Sequence, residues 1–276
     1  MLCSKRGWNR NYNFIIPIIL LCLTCFGCAR KPWTDPLDEK QAENVIQLLE
    51  TLNSRAKLCS EGIDGEVTLS HKNLINKKAV KGYFQLLSPT FIKFVISNPL
   101  GQPVIAITSD QHSFQLINTL EKKYISGSVY SYGLLSDIPP ALLKGNWHDW
   151  IRGIITIDPA VVHDIRQDRK NRGIWVLVER GKDADYQKIH LLIEPGEGNI
   201  LSRIIESNTG EVLARITYKN WIPVGNCKLP HIIEMTDLGY NTELTIRLSD
   251  VLVADNLDKK DFRLTAPANY IKQIIP

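Results

Sequence analysis

Several kinds of chemistry are missing from this 276-residue chain. It has no nucleophile elbow, no P-loop and no glycine pattern for a dinucleotide, so the chain reads as a non-enzyme without a cofactor. Its histidines (His71, His112, His148, His163, His190 and His231) are scattered. No two stand at metal-ligand spacing, and each fits a surface or strand position better than a metal site. A long apolar run is also missing. The longest, "FIIPIILLCLTCF" (14–26), has 13 residues interrupted by Pro17, short of the roughly 20 that a spanning helix needs. Neither sign of charge dominates once the front is set aside. Residues 1–27 carry three basic side chains and no acid, which leaves 30 basic against 29 acidic residues. Nothing in that balance recommends nucleic acid as a partner.

What the front does have is the layout of a secretory signal. Lys5, Arg6 and Arg10 precede the apolar run, and the run ends at Gly27-Cys28. "TCFGC" resembles the bacterial lipoprotein signal, in which the cysteine after the cut becomes the acylated first residue, although Cys25 stands where Leu is usual. The alternative is an ordinary signal peptide with a free cysteine beside its cut. Cys28 is thus the expected lipidation site. Residues 1–27 are the expected signal, 28–37 a lipidated tether, and 38–276 one domain, long enough for a single sizeable core. Acyl chains at roughly 0.8 kcal/mol per buried methylene make such an anchor nearly permanent. By the same resemblance, Ala29 rather than Asp after the cysteine points to the outer membrane, with the body in the periplasm. Three cysteines survive the cut. With Cys28 acylated, Cys59 and Cys227 are left as a possible disulfide or as two inert thiols.

A helix is predicted from about 38 to 54, with Ala42, Val45, Ile46, Leu49 and Leu52 on one stripe. From there period 2 takes over. Strands are predicted at about 64–71, 78–87, 90–97, 103–109, 112–118 and 121–126, and again at 173–180, 186–193, 200–207, 211–219, 229–236 and 242–253. A helical region, about 132–152, separates the two sets. In it Trp147 and Trp150 fit a helix packed on a sheet better than a binding platform. "DIRQDRKNR" (164–172) reads as a solvated helix or loop. Phe84, Ile92, Phe94, Ile96, Ile216, Leu244 and Ile246 share a parity opposite charged neighbours, so one face of the sheet is dry. Periodicity leaves open whether that face is a packed core or a lined hollow. A barrel, sandwich or strongly curved antiparallel sheet follows.

The turn "SNPLG" (97–101) raises its own question. Asn98, Pro99 and Gly101 suit a β-turn, but Leu100 puts a large apolar side chain at the tip. It either folds back onto a strand or stands exposed for a purpose.

Together these pieces resemble the LolA/LolB superfamily, and most closely its outer-membrane receptor branch, LolB. The residues that carry the resemblance are "ISNPLG" (96–101), Ile138-Pro139 leading to Trp150-Ile151-Arg152-Gly153, and the hairpin "LPHIIEMTDLGYNTELTIRLSDV" (229–251). The tail "DKKDFRLTAP" (258–267) is closer to the LolA branch, and the chain is longer than a usual receptor, mainly over 154–185. The resemblance implies a mostly β protein with an unclosed β-barrel, covered by the N-terminal helix and a mid-chain helical lid. It implies that Phe84, Ile92, Phe94, Ile96, Ile216, Leu244 and Ile246 line an acyl-chain cavity. Pro99, Leu100 and Gly101 would then form a membrane-insertion loop, kept near the bilayer by Cys28. The implied partners are acylated lipoproteins, a periplasmic LolA-type carrier and the outer membrane, with the chain a monomer. The other reading is an assembly lipoprotein that uses the same half-barrel for a protein segment or another lipid.

Overall fold

The structure is a computed structural model that describes residues 31–59, 61–73, 75–135, 145–155, 161–180, 187–207, 209–238 and 242–276. Cys28, the preceding signal and Ile138-Pro139 lie outside the described residues.

The chain begins with β1 (Trp33–Pro36) and α1 (Glu39–Leu58). A first meander follows: β2 (Ile63–Lys72), β3 (Lys77–Leu87), β4 (Phe91–Ser97), β5 (Pro103–Ser109), β6 (Ser113–Asn118) and β7 (Lys123–Ser128). Two short helices, α2 (Val129–Leu135) and α3 (Trp147–Arg152), lead to β8 (Val162–Asp168). The second meander is β9 (Ile174–Arg180), β10 (Gln187–Ile193), β11 (Ile200–Glu206), β12 (Val212–Val224), β13 (Cys227–Thr236) and β14 (Glu243–Val253). A 3-10 turn (Lys259–Phe262) and β15 (Ile271–Ile275) close the chain.

All these strands form one sheet in the order β1-β8-β9-β10-β11-β12-β13-β14-β2-β3-β4-β5-β6-β7-β15. The protein is mostly β, and its sheet is curved and unclosed, with β1 and β15 as its two edges. The pairings are antiparallel except β15 beside β7. Antiparallel neighbours joined by tight turns give the sheet two ends. Turns 72–77, 97–103 and 118–123 lie at one end, called here the tip end. Turns 168–174, 193–200 and 224–227 lie at the other.

Register decides which side chains share a face. Phe84 pairs with Phe94, and Phe94 with Ile107. Ile216 pairs with Met235, Met235 with Leu244, and Ile246 with Leu69. This inner face meets the helices. Asp38 caps α1 by accepting from Gln41 N at 2.8 Å, while the Gln41 side chain returns to Asp38 N. Val45, Leu49 and Leu52 of α1 are then buried against the sheet, in one cluster with Phe84, Ile216, Ile246 and the α3 residues Trp150 and Ile151.

Two segments and one face of the sheet differ from the sequence reading. Residues 33–36, the end of the stretch read as a tether, are an edge strand whose Trp33 is buried. Residues 164–168, the first part of the stretch read as solvated, belong to β8. There Ile165 is buried in the core, and Asp168 takes hydrogen bonds from Arg172 and from Trp175 Nε1 at 2.9 Å. Polar residues that make fixed contacts look like a loop in a one-dimensional pattern. The sheet is also dry on both faces here, because Trp33, Trp175, Leu192 and Ile204 form a second cluster on the outer side. Residues 258–264 fold over the outer face at β4, with Phe262 against Phe91 (5.6 Å) and Lys93 Nζ bonded to Asp261 O (2.8 Å).

Candidate functional site

The inner face is filled unevenly. From β8 through β14 and into β2 and β3 it is plugged by α1 and α3, and Val176, Leu191, Ile205, Ile216, Ile233 and Phe84 are essentially inaccessible. Two arginines fasten α3 into this half. Arg152, itself 1 % exposed, donates to Ser88 Oγ at 3.0 Å and lies 3.6 Å from Cys227 Sγ. Burial lowers its pKa to about 10, against the opposing pull of Asp149 and Glu61. Arg203 donates to Ile154 O at 3.1 Å, and its guanidinium lies 5.6 Å from the Trp150 ring. Gly153 ends α3 in the left-handed region, and a Cβ there would collide with the Trp221 ring. The helix is therefore a locked part of the core.

The half formed by β4 to β7 is different. Of its inward residues, Ile96 and Phe114 are buried, while Ile92, Phe94, Ile105, Ile107, Leu116 and Ile125 are only half-buried. α2 lies at one end of this half, with Tyr132 against Phe114 (4.8 Å), and it leaves Tyr130, Leu134 and Leu135 exposed. An apolar wall half-open to water, next to a helix with an apolar outer side, can take up a flexible apolar chain without specific polar contacts.

The seven residues expected to line an acyl hollow share the inner face, but not one environment. Phe84, Ile216 and Ile246 belong to the plugged core. Ile96 is buried, whereas Ile92, Phe94 and Leu244 are half-buried. Phe94 and Ile92 therefore lie on the open wall together with Ile105, Ile107, Leu116 and Ile125. The last four lie in predicted strands, and parity alone could have found them. A separate cavity of about 570 Å³ opens at the end away from the tips, between the end of α1, residues 153–155 and the β12–β13 turn. It borders Cys59 and Cys227 but none of the seven. Those two cysteines are joined as a disulfide, with Cα atoms 5.4 Å apart.

Leu100 is 83 % exposed. Asn98 holds the turn: its backbone O accepts from Gly101 N (2.9 Å) and its Oδ1 from Leu100 N (2.9 Å) and Gln102 N (3.0 Å). Gly101 has φ +79°, and Pro99 fixes the preceding dihedral. The tip is rigid, and Leu100 does not fold back on a strand. The chain before Trp33 leaves from the opposite end of the sheet, where Arg169 binds Lys31 O (2.8 Å) and Pro32 O (3.0 Å).

No protein-family model matches the chain, and no curated protein matches its sequence. Solved structures do match its fold. A domain from Vibrio parahaemolyticus assigned as an outer-membrane lipoprotein-sorting protein superposes with a TM-score of 0.58 at 14% identity, over 79% of this chain and 95% of its own. A DUF1329 family protein from Desulfovibrio piger gives 0.56 at 11% identity, over 83% and 98%. A LolA superfamily protein from Nitrosomonas europaea gives 0.53 at 14% identity, over 78% and 97%. The chain thus has the fold of LolA superfamily and lipoprotein-sorting domains.

Proposed function

We propose that this chain is a periplasm-facing lipoprotein of the outer membrane that receives acylated lipoproteins from a LolA-type carrier and passes them into that membrane. The observation that carries the reading is the half-open apolar wall of β4 to β7 beside a fully plugged half, within a fold shared with lipoprotein-sorting domains. Acyl chains need shelter worth on the order of 10 kcal/mol each to cross water. A wall without polar readout shelters them loosely enough for release. No nucleotide motif is present in the sequence, so transfer runs downhill to the bilayer.

In this reading Cys28 is the acylated N-terminus, Phe94 and Ile92 belong to the acyl-binding wall, and Leu100 on its rigid turn enters the bilayer. Both the anchor and the loop serve one membrane only if their geometry allows it. Cys28 lies five residues before Trp33, a reach of at most about 18 Å. The tips lie a seven-residue strand away, about 23 Å, in the other direction. In this reading an acyl anchor at Cys28 leaves from the end away from the tips while β1 is paired, and Leu100 reaches the same bilayer once β1 releases.

The deciding experiment is transfer of a radiolabelled lipoprotein from a carrier complex to vesicles through the purified full chain, with Leu100→Glu beside it. The wild type should move cargo, and Leu100→Glu should capture cargo but release it poorly. No capture by the wild type, or unimpaired release by the variant, overturns the receptor reading. The second reading, binding of a protein segment, is favoured by the free edge of β15, where Ile271 and Ile274 are 65% and 79% exposed. A stable protein complex with no cargo capture would select it.

A further inference from the structure

Three turns at the tip end are built alike. Asn73, Asn98 and Asn118 each stand two residues before an apolar tip: Ile75, Leu100 and Leu120. Each Asn Oδ1 accepts from the tip's own backbone N–H, at 3.0, 2.9 and 3.1 Å. Each also accepts a second bond from just beyond, from Asn76 N (2.7 Å), Gln102 N (3.0 Å) and Glu121 N (3.1 Å). This is the side-chain-closed turn that Asn forms with its own backbone two residues on, and it fixes where the tip points. The tips are 87%, 83% and 76% exposed. They cap β2–β3, β4–β5 and β6–β7, alternate gaps in one sheet, so successive tips stand about 10 Å apart. Ile271, 65% exposed, extends the row, since its N–H bonds to Lys122 O at 2.8 Å.

One exposed leucine needs no explanation, but a row of rigid apolar tips along one rim does. The charges between the tips are almost all of one sign. These turns and their flanks hold Lys72, Lys77, Lys78, Lys122 and Lys123 against Glu121. Glu121 is held by Lys123 (2.8 Å), and Glu243, across from Lys72, by that lysine (3.1 Å). Lys77, Lys78 and Lys122 have no ion-pair partner among the described residues. Separated apolar tips with unpaired lysines between them suit the interface of an anionic bilayer, where apolar groups sink below the headgroups and ammonium groups remain at their level.

We propose that Ile75, Leu100 and Leu120 form a three-pronged rim, with Lys77, Lys78 and Lys122, that docks on a phospholipid surface bearing anionic headgroups. The proposal extends the single-loop insertion in the receptor reading and rests on it only for Leu100. The test uses the chain from residue 28 with Cys28→Ser, so that no acyl anchor sets which end meets the lipid, added to phosphatidylethanolamine vesicles with and without phosphatidylglycerol. Nitroxide labels go singly at positions 75, 100 and 120 and, as a control, at the exposed Leu58 of the opposite end. All three tips should show oxygen accessibility typical of lipid, more so with phosphatidylglycerol, while position 58 stays in water. Lys77→Gln, Lys78→Gln and Lys122→Gln together should lower the docked-to-free ratio by about fivefold per lysine. Lipid depth at position 100 alone, or at none, or depth indifferent to phosphatidylglycerol, overturns the rim. Cargo transfer scored in the same vesicles separates the two readings. Transfer with the tips in water removes the rim and leaves the receptor, and docking without transfer does the reverse.

Discussion

The plugged half and the open half of this sheet are written in the same sequence pattern and differ in what covers them. In β10 and β12, alternating Ile, Leu and Ala belong to one cluster with α1 and α3 and are buried; in β5 and β6, alternating Ile and Leu stay half-buried. Period 2 states which side chains share a face and is silent about what lies opposite. An open wall is an alternation whose covering helix was spent elsewhere. The two short helices expected to form a lid illustrate this: α3 is locked by Arg152 and Arg203, and among the described residues α2 is the one placed to act as a cover.

The comparison breaks first under side-chain truncation. Ile216→Ala or Leu191→Ala removes a fully buried side chain from the plugged half and should cost about 2–5 kcal/mol in urea unfolding. Ile107→Ala or Phe94→Ala on the open wall should cost less than half as much yet reduce cargo capture. Equal costs in the two halves would mean that the wall is ordinary core. The disulfide sharpens the same contrast. Cys59 ends α1 and Cys227 opens β13, so removing both cysteines should destabilise by about 2–4 kcal/mol. Hydrogen exchange should rise around α1 and β13 while β5 and β6 are unchanged; a uniform rise would deny that the two halves respond separately.

A third and smaller effect is expected at Asp168. Burial alone would raise its pKa, but hydrogen bonds from Arg172 and Trp175 outweigh it and hold the carboxyl at about 2. Because the folded value is depressed, this stabilisation is present above the ordinary Asp range and is lost as pH falls through about 2. Asp168→Asn should cost about 1–3 kcal/mol at neutral pH, since Arg172 and the Trp175 N–H lose a charged acceptor. Urea midpoints of the two forms should converge toward pH 2. A gap independent of pH would assign the loss to packing instead.

Most of the fold was legible because its strands alternate cleanly between turn signals: β2 to β7 and β9 to β14 fall within a few residues of their predicted spans, as does α1. What stayed illegible depends on distant partners. Trp33 is buried only because Trp175 and His190, over 140 residues away, form its seat. Asp168 looks solvated until Arg172 and Trp175 are seen around it. β15 pairs with β7 in parallel, a long-range contact with no local mark. At the candidate site, parity found Phe94 and Ile92, but it grouped them with Phe84, Ile216 and Ile246, whose coverage by α1 and α3 is a tertiary fact. The tips were half legible: Leu100 stood out because Pro99 and Gly101 announce its turn, whereas Ile75 and Leu120 lack those neighbours and show their likeness only through the Asn73 and Asn118 bonds.

The smallest effect concerns β1, the strand that decides at which end the anchor emerges. With Trp33 seated, the chain exits away from the tips; with β1 released, the first fixed residues are those opening α1, toward the tip end, and the ten residues from Cys28 to Asp38 reach about 35 Å. His190 holds the seat, stacked 4.5 Å from Trp33 with Glu206 at 3.2 Å from its Nε2. Burial lowers the His190 pKa, and Lys31 and Lys188 act in the same direction, while Glu206 opposes. A lowered folded value means that the neutral ring's stabilisation is complete above the ordinary histidine value and is lost as pH falls through the folded one. Going from about pH 7.5 to about pH 5.5 should therefore loosen β1 by no more than about 1 kcal/mol. The readout is amide exchange of residues 33–36 at the two pH values, corrected for intrinsic rates. Replacing His190 by Phe keeps a ring under Trp33 without a proton to gain, and should abolish the pH dependence. If the wild type shows no pH dependence, or His190→Phe retains it, His190 is a passive seat, and release of β1 must be driven by the membrane alone.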